Sequence, residues 1–168
     1  MNILCPSWVV SGHSTPAFSR WVSLSDSGVE ADRRQNPEAL RWQETVGQVD
    51  GYIFVVAEYN HLITGVLKNA LDQAYKEWNR KPFTAIGYGG TGAVRAIEHL
   101  RLIGVELQMV STHAAVHIGG GDFMAVHPRF GNKPIEEIEA ALLPSAKTAL
   151  DELVWWAKAT IAARAVSA

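Results

Sequence analysis

The sequence is poor in cysteine, in charge of either sign and in long apolar runs. Cys5 is the single cysteine among 168 residues, which excludes an internal disulfide and favours a reducing, cytoplasmic location. Charged residues make up 19% of the chain and the formal net charge is −2, so the basic surplus that nucleic-acid binding requires is missing. No run of about 18 apolar residues is present, and we therefore expect no membrane-spanning helix.

What the sequence does contain is a regular alternation of strand and helix patterns. Its length suits one domain, residues 1–168. Short apolar runs predict strands at 1–5, 51–56, 82–86, 105–110 and 114–118. Helical spacing predicts helices at 16–22, 37–49, 63–78, 91–103, 135–141 and 145–163, with loops at 23–36 and 119–133. This order predicts an α/β fold with a doubly wound parallel sheet, whose ligands bind at the carboxyl ends of the strands.

The first segment with chemical interest follows the buried run 51–56. It reads Ala57-Glu58-Tyr59-Asn60-His61 and combines an acid, an aromatic ring, an amide and an imidazole. Such residues at a strand end suit a planar ligand with polar edges. The alternative is structural: Asn60 caps the next helix and Tyr59 packs against it. From the residues alone, the two interpretations carry similar weight.

The second segment is glycine-rich and follows the run 82–86. It reads Gly87-Tyr88-Gly89-Gly90-Thr91-Gly92. Glycines allow close approach of a ligand to the backbone, and the N–H groups of a helix starting at about Thr91 could bind an anion. The glycine spacing also satisfies the dinucleotide fingerprint G-x-G-x-x-G. Because that fingerprint normally lies in the first βαβ unit, we interpret its mid-chain occurrence here as fortuitous.

Taken together, these segments resemble the NAD(P)H-dependent FMN reductase family. The similarity runs from about residue 34 to residue 118 and rests on several motifs in the right order. They are the strand ending in Ala57-Glu58-Tyr59-Asn60, the helix Gly65-Val66-Leu67-Lys68-Asn69-Ala70-Leu71-Asp72, Lys81-Pro82, Tyr88-Gly89-Gly90, Arg95 and Leu100-Arg101.

The resemblance implies a flavodoxin-like fold and an oxidoreductase that uses NADPH or NADH as electron donor. It implies an FMN ring held by residues 57–61 on one side and by Tyr88, Gly89 and Gly90 on the other, with no catalytic side chain, since the flavin carries the redox chemistry. It also implies a small-molecule electron acceptor, such as a flavin or a quinone, and a homodimer or homotetramer.

The N-terminal part departs from the family pattern. The loop that should cradle the FMN phosphate reads Pro6-Ser7-Trp8-Val9-Val10-Ser11-Gly12-His13-Ser14 and lacks the usual Arg. Ser7, Ser11 and His13 are the remaining candidates for that phosphate. The polar stretch 23–36 leaves little room for a second strand, so one strand of the sheet is expected to be short or missing.

Three hypotheses therefore stand. The leading one is a flavin-dependent NAD(P)H reductase. The second is a binding or scaffold protein that kept this fold but lost FMN. The third, and weakest, is a dinucleotide-binding module built on residues 87–92. A metal site at His113 and His117 is not expected, because four residues along a strand separate them too far. Trp78 is expected at a subunit face or near the ligand.

Overall fold

The protein is represented by a computed structural model that describes residue 1, residues 3–4 (backbone only) and residues 36–166. The predicted helix 16–22, the predicted loop 23–36 except Asn36, and the place of the short or missing strand lie outside the described residues. Among the described residues, no helix is both long enough and apolar enough to span a bilayer.

Strands and helices mostly alternate along the described chain, except that β3 follows β2 and β6 follows β5 directly. The strands are β1 (Ile3–Leu4), β2 (Gly51–Tyr59), β3 (Leu62–Ile63), β4 (Pro82–Tyr88), β5 (Val110–Ser111) and β6 (Val116–Ile118). The helices are α1 (Pro37–Gly47), α2 (Gly65–Asp72), α3 (Val94–Glu106), α4 (Gly120–Val126) and α5 (Glu139–Val166), and a 3₁₀ helix at Ile135–Ile138 precedes α5.

The sheet is built mainly from parallel strands, as predicted. In the described part, β2 pairs in parallel with β1 on one side and with β4 on the other. The far side of β4 pairs in parallel with β5 near its start and with β6 near its end. β5 and β6 together therefore form one interrupted edge strand beside β4. The short β3 turns back and pairs antiparallel with the end of β2.

Both faces of the sheet are covered, which explains the nearly continuous apolar runs of β2 and β4. Along β4, Phe83 and Ala85 join one buried cluster, whereas Ile86 and Tyr88 pack against a second. The first cluster is rich in aromatic rings. The centroids of Tyr52 and Trp78 are 4.8 Å apart, which adds directional contacts to the apolar burial.

Two helix starts show which local signals are reliable. Asn36 caps α1 as predicted, because its Oδ1 accepts the Glu38 N–H at 3.0 Å. The cap of α2 is Thr64, whose Oγ1 accepts the Leu67 N–H at 3.3 Å. The interpretation of Asn60 as the cap of this helix is therefore wrong.

Several predicted boundaries are also wrong. Helix α3 begins at Val94 and runs through Gly104, the predicted stop. Glycine is needed there because an added Cβ would lie 2.5 Å from the Phe83 ring. Residues 105 and 106 are consequently helical, and the predicted strand 105–110 shrinks to β5.

The structure also differs from the predictions for α2, the loop 119–133 and the last helices. Helix α2 ends at Asp72, although the pattern extends to 78. Trp78 is fully buried and donates its Nε1–H to Leu71 O, so its predicted place at a subunit face or ligand is wrong. The predicted loop 119–133 contains α4, and α5 runs through Pro144 as one helix.

Candidate functional site

The two predicted segments lie side by side at one edge of the sheet. Ala57 near the end of β2 and Tyr88 at the end of β4 are direct partners in the parallel ladder. Parallel strands bring their carboxyl ends to the same edge, where open α/β sheets bind ligands. The structure thus brings together residues 57–61, which we call the hairpin end, and residues 87–92, which we call the glycine loop.

The hairpin end is a tight turn between antiparallel strands and was predicted as a loop. Strand β2 continues to Tyr59, and Asn60 and His61 then form the turn with φ values of 49° and 69°. Two successive residues with positive φ are typical of a type I′ turn, whose backbone twist matches the twist of the two strands that it joins. Tyr59 is 71% exposed, so the alternative in which its ring packs against a helix is wrong.

The carboxylate of Glu58 is directed at helix α3. Its side chain is only 8% exposed, and it forms a salt bridge with Arg95. The Arg95 Nε–H donates to Oε1 at 2.6 Å, while Oε2 accepts the main-chain N–H groups of Arg95 at 3.2 Å and Ala96 at 3.4 Å. Glu58 therefore caps α3 from a distant segment, since Ala93 at the N-cap position provides no side-chain acceptor.

Electrostatics at Glu58 favour the ionised carboxylate. The hydrogen bond from the Arg95 side chain, followed by the main-chain N–H of Ala96, lowers the pKa of Glu58 below its usual value. The opposite charges compensate each other, and the edge of the sheet carries no uncompensated acid at this position. The sequence indicated Glu58 as a candidate ligand contact, but the structure shows its side chain engaged by α3.

Arg95 contributed to the family resemblance in the sequence but was not predicted as a site residue. Besides Glu58, its Nη1 lies 2.9 Å from Nε2 of His61, and its Nη2 donates to the Thr91 Oγ1 at 3.4 Å. It therefore contacts the hairpin end and the glycine loop at once. The available signal was an arginine at the second position of a helix that follows a glycine-rich loop.

The glycine loop is held by its backbone. A Cβ at Gly87 would lie 2.1 Å from Gly92 O, so only glycine permits this approach. Main-chain hydrogen bonds join Gly92 N–H to Gly89 O at 2.9 Å and Gly89 N–H to the O of Ile118 in β6 at 3.2 Å. In contrast, a Cβ at Gly90 would meet no atom within 4 Å.

Tyr88 supports the glycine loop from the side of α4. Its ring packs edge-on against Phe123 with centroids 4.9 Å apart, and it lies parallel to the His127 ring at 6.3 Å. Burial raises the pKa of the Tyr88 phenol. The sequence did not predict this support, because α4 lies in a stretch assigned to a loop.

The dinucleotide hypothesis loses part of its anion site in this geometry. It required free N–H groups at the start of the helix after the glycine loop. Those of Arg95 and Ala96 already bind the Glu58 carboxylate. The glycine spacing is explained instead by the close approach of Gly87 to Gly92.

The remaining sequence predictions concern the phosphate and a metal. Ser7, Ser11 and His13 lie outside the described residues, so the phosphate end of the site stays a prediction. In the described ranges, no group of three or more His, Cys, Asp or Glu side chains could hold a metal ion. The Nδ1 of His117 lies 2.8 Å from Gly92 O, and this histidine thus contacts the glycine loop.

Comparison with known proteins places this geometry in a family. The sequence profile of the NADPH-dependent FMN reductase family matches residues 12–122. The chain belongs to this family. Among curated members, it is 34% identical over 94 residues to an NAD(P)H-dependent FMN reductase, C4B3.06c, of Schizosaccharomyces pombe, covering 52% of this chain and 46% of that one. A 2-hydroxy-1,4-benzoquinone reductase of a Burkholderia species is 38% identical over 82 residues, 44% of this chain and 45% of that one.

The matches are partial, since each covers less than half of the relative's length. A solved structure confirms the flavodoxin-like FMN reductase fold over a larger part. It is the flavoenzyme NAD(P)H:(acceptor) oxidoreductase FerB of Paracoccus denitrificans, with a TM-score of 0.63, 21% identity, and coverage of 85% of this chain and 78% of that one.

Proposed function

We propose that this chain binds FMN at the shared edge of β2 and β4 and acts as an NAD(P)H-dependent reductase of flavins or quinone-type acceptors. Membership of the FMN reductase family supports the class of reaction. The pairing of Ala57 with Tyr88 supports the position of the flavin, because it aligns the hairpin end with the glycine loop. This juxtaposition is the observation that carries the proposal.

The described residues fit an isoalloxazine ring. Added Cβ atoms at Gly89 and Gly90 would meet nothing within 4 Å, so the glycine loop leaves room for a flat ligand to approach its backbone. Tyr59, Asn60 and His61 are exposed on the opposite segment. Glu58, the acid next to Tyr59 in the chain, is compensated by Arg95 and therefore adds no unpaired negative charge beside the ring.

FMN, when bound, supplies the transfer of two electrons from NAD(P)H to the acceptor. The chain's own part is to bind and orient. In the proposal, the backbone of Gly89 and Gly90 lines one side of the ring, and Tyr59, Asn60 and His61 line the other. The Tyr88 ring keeps the glycine loop against α4 through its contact with Phe123.

The acceptor and the assembly belong to the same proposal. The name of the Burkholderia relative favours a quinone as one acceptor. A homodimer or homotetramer follows from the resemblance, and a cytoplasmic location follows from the single cysteine.

The test is the visible absorbance of the purified protein, before and after incubation with excess FMN and removal of free ligand. We expect flavin bands to be retained and FMN fluorescence to be quenched. Gly90→Asp should abolish both, because the new side chain fills the open space that the ring would occupy in the proposal. Gly65→Asp is the matched control, since Gly65 is also exposed with nothing within 4 Å.

A colourless protein that leaves FMN fluorescence unchanged would contradict the reductase proposal. It would favour the scaffold hypothesis, in which the altered N-terminal loop no longer holds the phosphate. If flavin is retained instead, the oxidation of NADH and NADPH with a benzoquinone acceptor measures the activity of the flavin-loaded protein.

A further inference from the structure

We propose that Arg95 is a positioning residue that fixes the hairpin end and the glycine loop in the relative arrangement that flavin binding requires. The inference rests on the proposed FMN site. It extends that proposal, because Arg95 belongs to helix α3 and is not itself a predicted ligand contact.

The first argument is connectivity. One guanidinium makes a salt bridge to Glu58 and contacts His61 and Thr91, so it joins the hairpin end, the glycine loop and the start of α3. The parallel ladder between β2 and β4 reaches only as far as Ala57 and Tyr88. Beyond that pair, Arg95 continues the cross-link with side-chain atoms.

The second argument concerns charge. The Glu58 side chain is 8% exposed, whereas that of Arg95 is 44% exposed. Removing the arginine would take away the cation that compensates the carboxylate and would leave main-chain N–H groups as its remaining donors, which favours rearrangement of Glu58 toward water. Such a movement displaces the hairpin end, since Glu58 immediately precedes Tyr59 and Asn60.

The third argument is geometric. The guanidinium is a planar fork with five N–H donors. Here its nitrogens contact Glu58, His61 and Thr91, which lie in different directions. Because arginine has no acceptor, the bond between Nη1 and Nε2 of His61 forms in the tautomer that leaves Nε2 free to accept. Lysine could neutralise Glu58 but could not serve His61 and Thr91 at the same time. Shape as well as charge is therefore required at position 95.

A second arginine on α3 offers a matched control. Arg101 pairs with Glu98 on the same helix and donates to the carbonyl oxygen of His113, at the interrupted edge strand. Its side chain is 28% exposed and reaches neither the hairpin end nor the glycine loop through any of these bonds. Substitution of Arg101 removes the same charge from the same helix.

The experiment compares Arg95→Met and Arg95→Lys with Arg101→Met and Arg101→Lys. Three quantities are measured: the FMN dissociation constant from fluorescence quenching, the visible circular dichroism of bound FMN, and hydrogen exchange of the amides at 57–61 and 88–92 in the ligand-free protein. Arg95→Met should weaken FMN binding about tenfold to a hundredfold, as expected for losing a charged hydrogen bond. It should also change the flavin dichroism and accelerate exchange in both segments. Arg95→Lys should restore little, and the Arg101 variants should resemble the native protein.

Each contrary result overturns the inference. Equal FMN affinity in the Arg95 and Arg101 variants would show that Arg95 acts only on general stability, and full rescue by lysine would show that charge alone suffices. If the native protein binds no FMN, the proposed function fails, but ligand-free exchange still decides the positioning role. Unchanged exchange at 57–61 and 88–92 in Arg95→Met would then disprove it.

Discussion

The two sides of the candidate site are held in place by different physical means. The hairpin end depends on side chains, above all on the salt bridge between Glu58 and Arg95. The glycine loop depends on backbone contacts, such as the hydrogen bond between Gly92 N–H and Gly89 O, and on the absence of a Cβ at Gly87. One side is therefore fixed by charge and the other by shape.

This difference predicts different vulnerabilities. An ion pair weakens when the carboxylate is protonated, and the exposure of Arg95 makes it sensitive to salt. A close backbone approach is indifferent to pH and salt but does not tolerate added volume. Substitutions on the two sides should consequently fail under different conditions, and the following predictions, from the largest effect to the smallest, test that contrast.

The largest effect is expected from Gly87→Ala. The new Cβ would lie 2.1 Å from Gly92 O and 3.0 Å from Cδ1 of Ile97. The backbone must move to remove this clash. We expect a loss of roughly 3 kcal/mol in the free energy of unfolding, which is the upper end of the usual cost of overpacking a core. Urea denaturation measures it. Gly90→Ala is the control and should change stability by less than about 0.5 kcal/mol. Similar losses in both variants would contradict the steric account.

Glu58→Gln should have an intermediate effect that depends on pH. It removes the charge that binds Arg95 and α3, and we expect a loss of about 1–2 kcal/mol at pH 7. Because the pKa of Glu58 is lowered in the fold, its contribution is present above the carboxyl pKa of the unfolded chain and disappears as pH falls through the folded value.

The stability difference between the native protein and Glu58→Gln should accordingly shrink below about pH 4. Denaturation at several pH values checks this. Glu98→Gln is the control, since Glu98 is exposed and pairs with Arg101 on the helix surface. It should cost less than about 0.5 kcal/mol at pH 7. A Glu58→Gln effect that stays constant down to pH 3 would show that charge is not what holds the hairpin end.

The smallest effect is expected from Asn60→Gly. Asn60 has a positive φ of 49°, which asparagine tolerates better than most residues. Glycine relieves the remaining strain but increases the entropy of the unfolded chain, so the net change should stay within about 0.5 kcal/mol. Thermal unfolding measures it. A loss above about 1 kcal/mol would reveal a stabilising contact of the Asn60 side chain.

Much of the fold followed from sequence pattern. The apolar runs of β2 and β4 predict buried parallel strands, and Asn36 before Pro37 predicts the start of α1, because these signals act over a few residues. Boundaries set by contacts between distant residues were missed. Gly104 lies inside α3 and is a glycine because the Phe83 ring packs against it, and no local signal in the sequence reports that contact.

The candidate site shows the same division. The sequence indicated both segments and their common edge, since strand order and residue type suffice for that expectation. It did not reveal that the carboxylate of Glu58 binds Arg95 at the start of α3, because Glu58 and Arg95 are 37 residues apart in the chain. The hairpin at Asn60 and His61 was also missed, since neither residue is the glycine that usually marks such a turn.

The sequence by itself therefore determined the α/β class, the family and the two segments of the candidate site, all of which depend on residue type and short-range order. Tertiary structure alone decided how those segments are held: Arg95 joins Glu58, His61 and Thr91, while Gly87 admits the backbone of Gly92. The physical reason is that ion pairs and close backbone approaches depend on distances in space, which only the folded chain specifies.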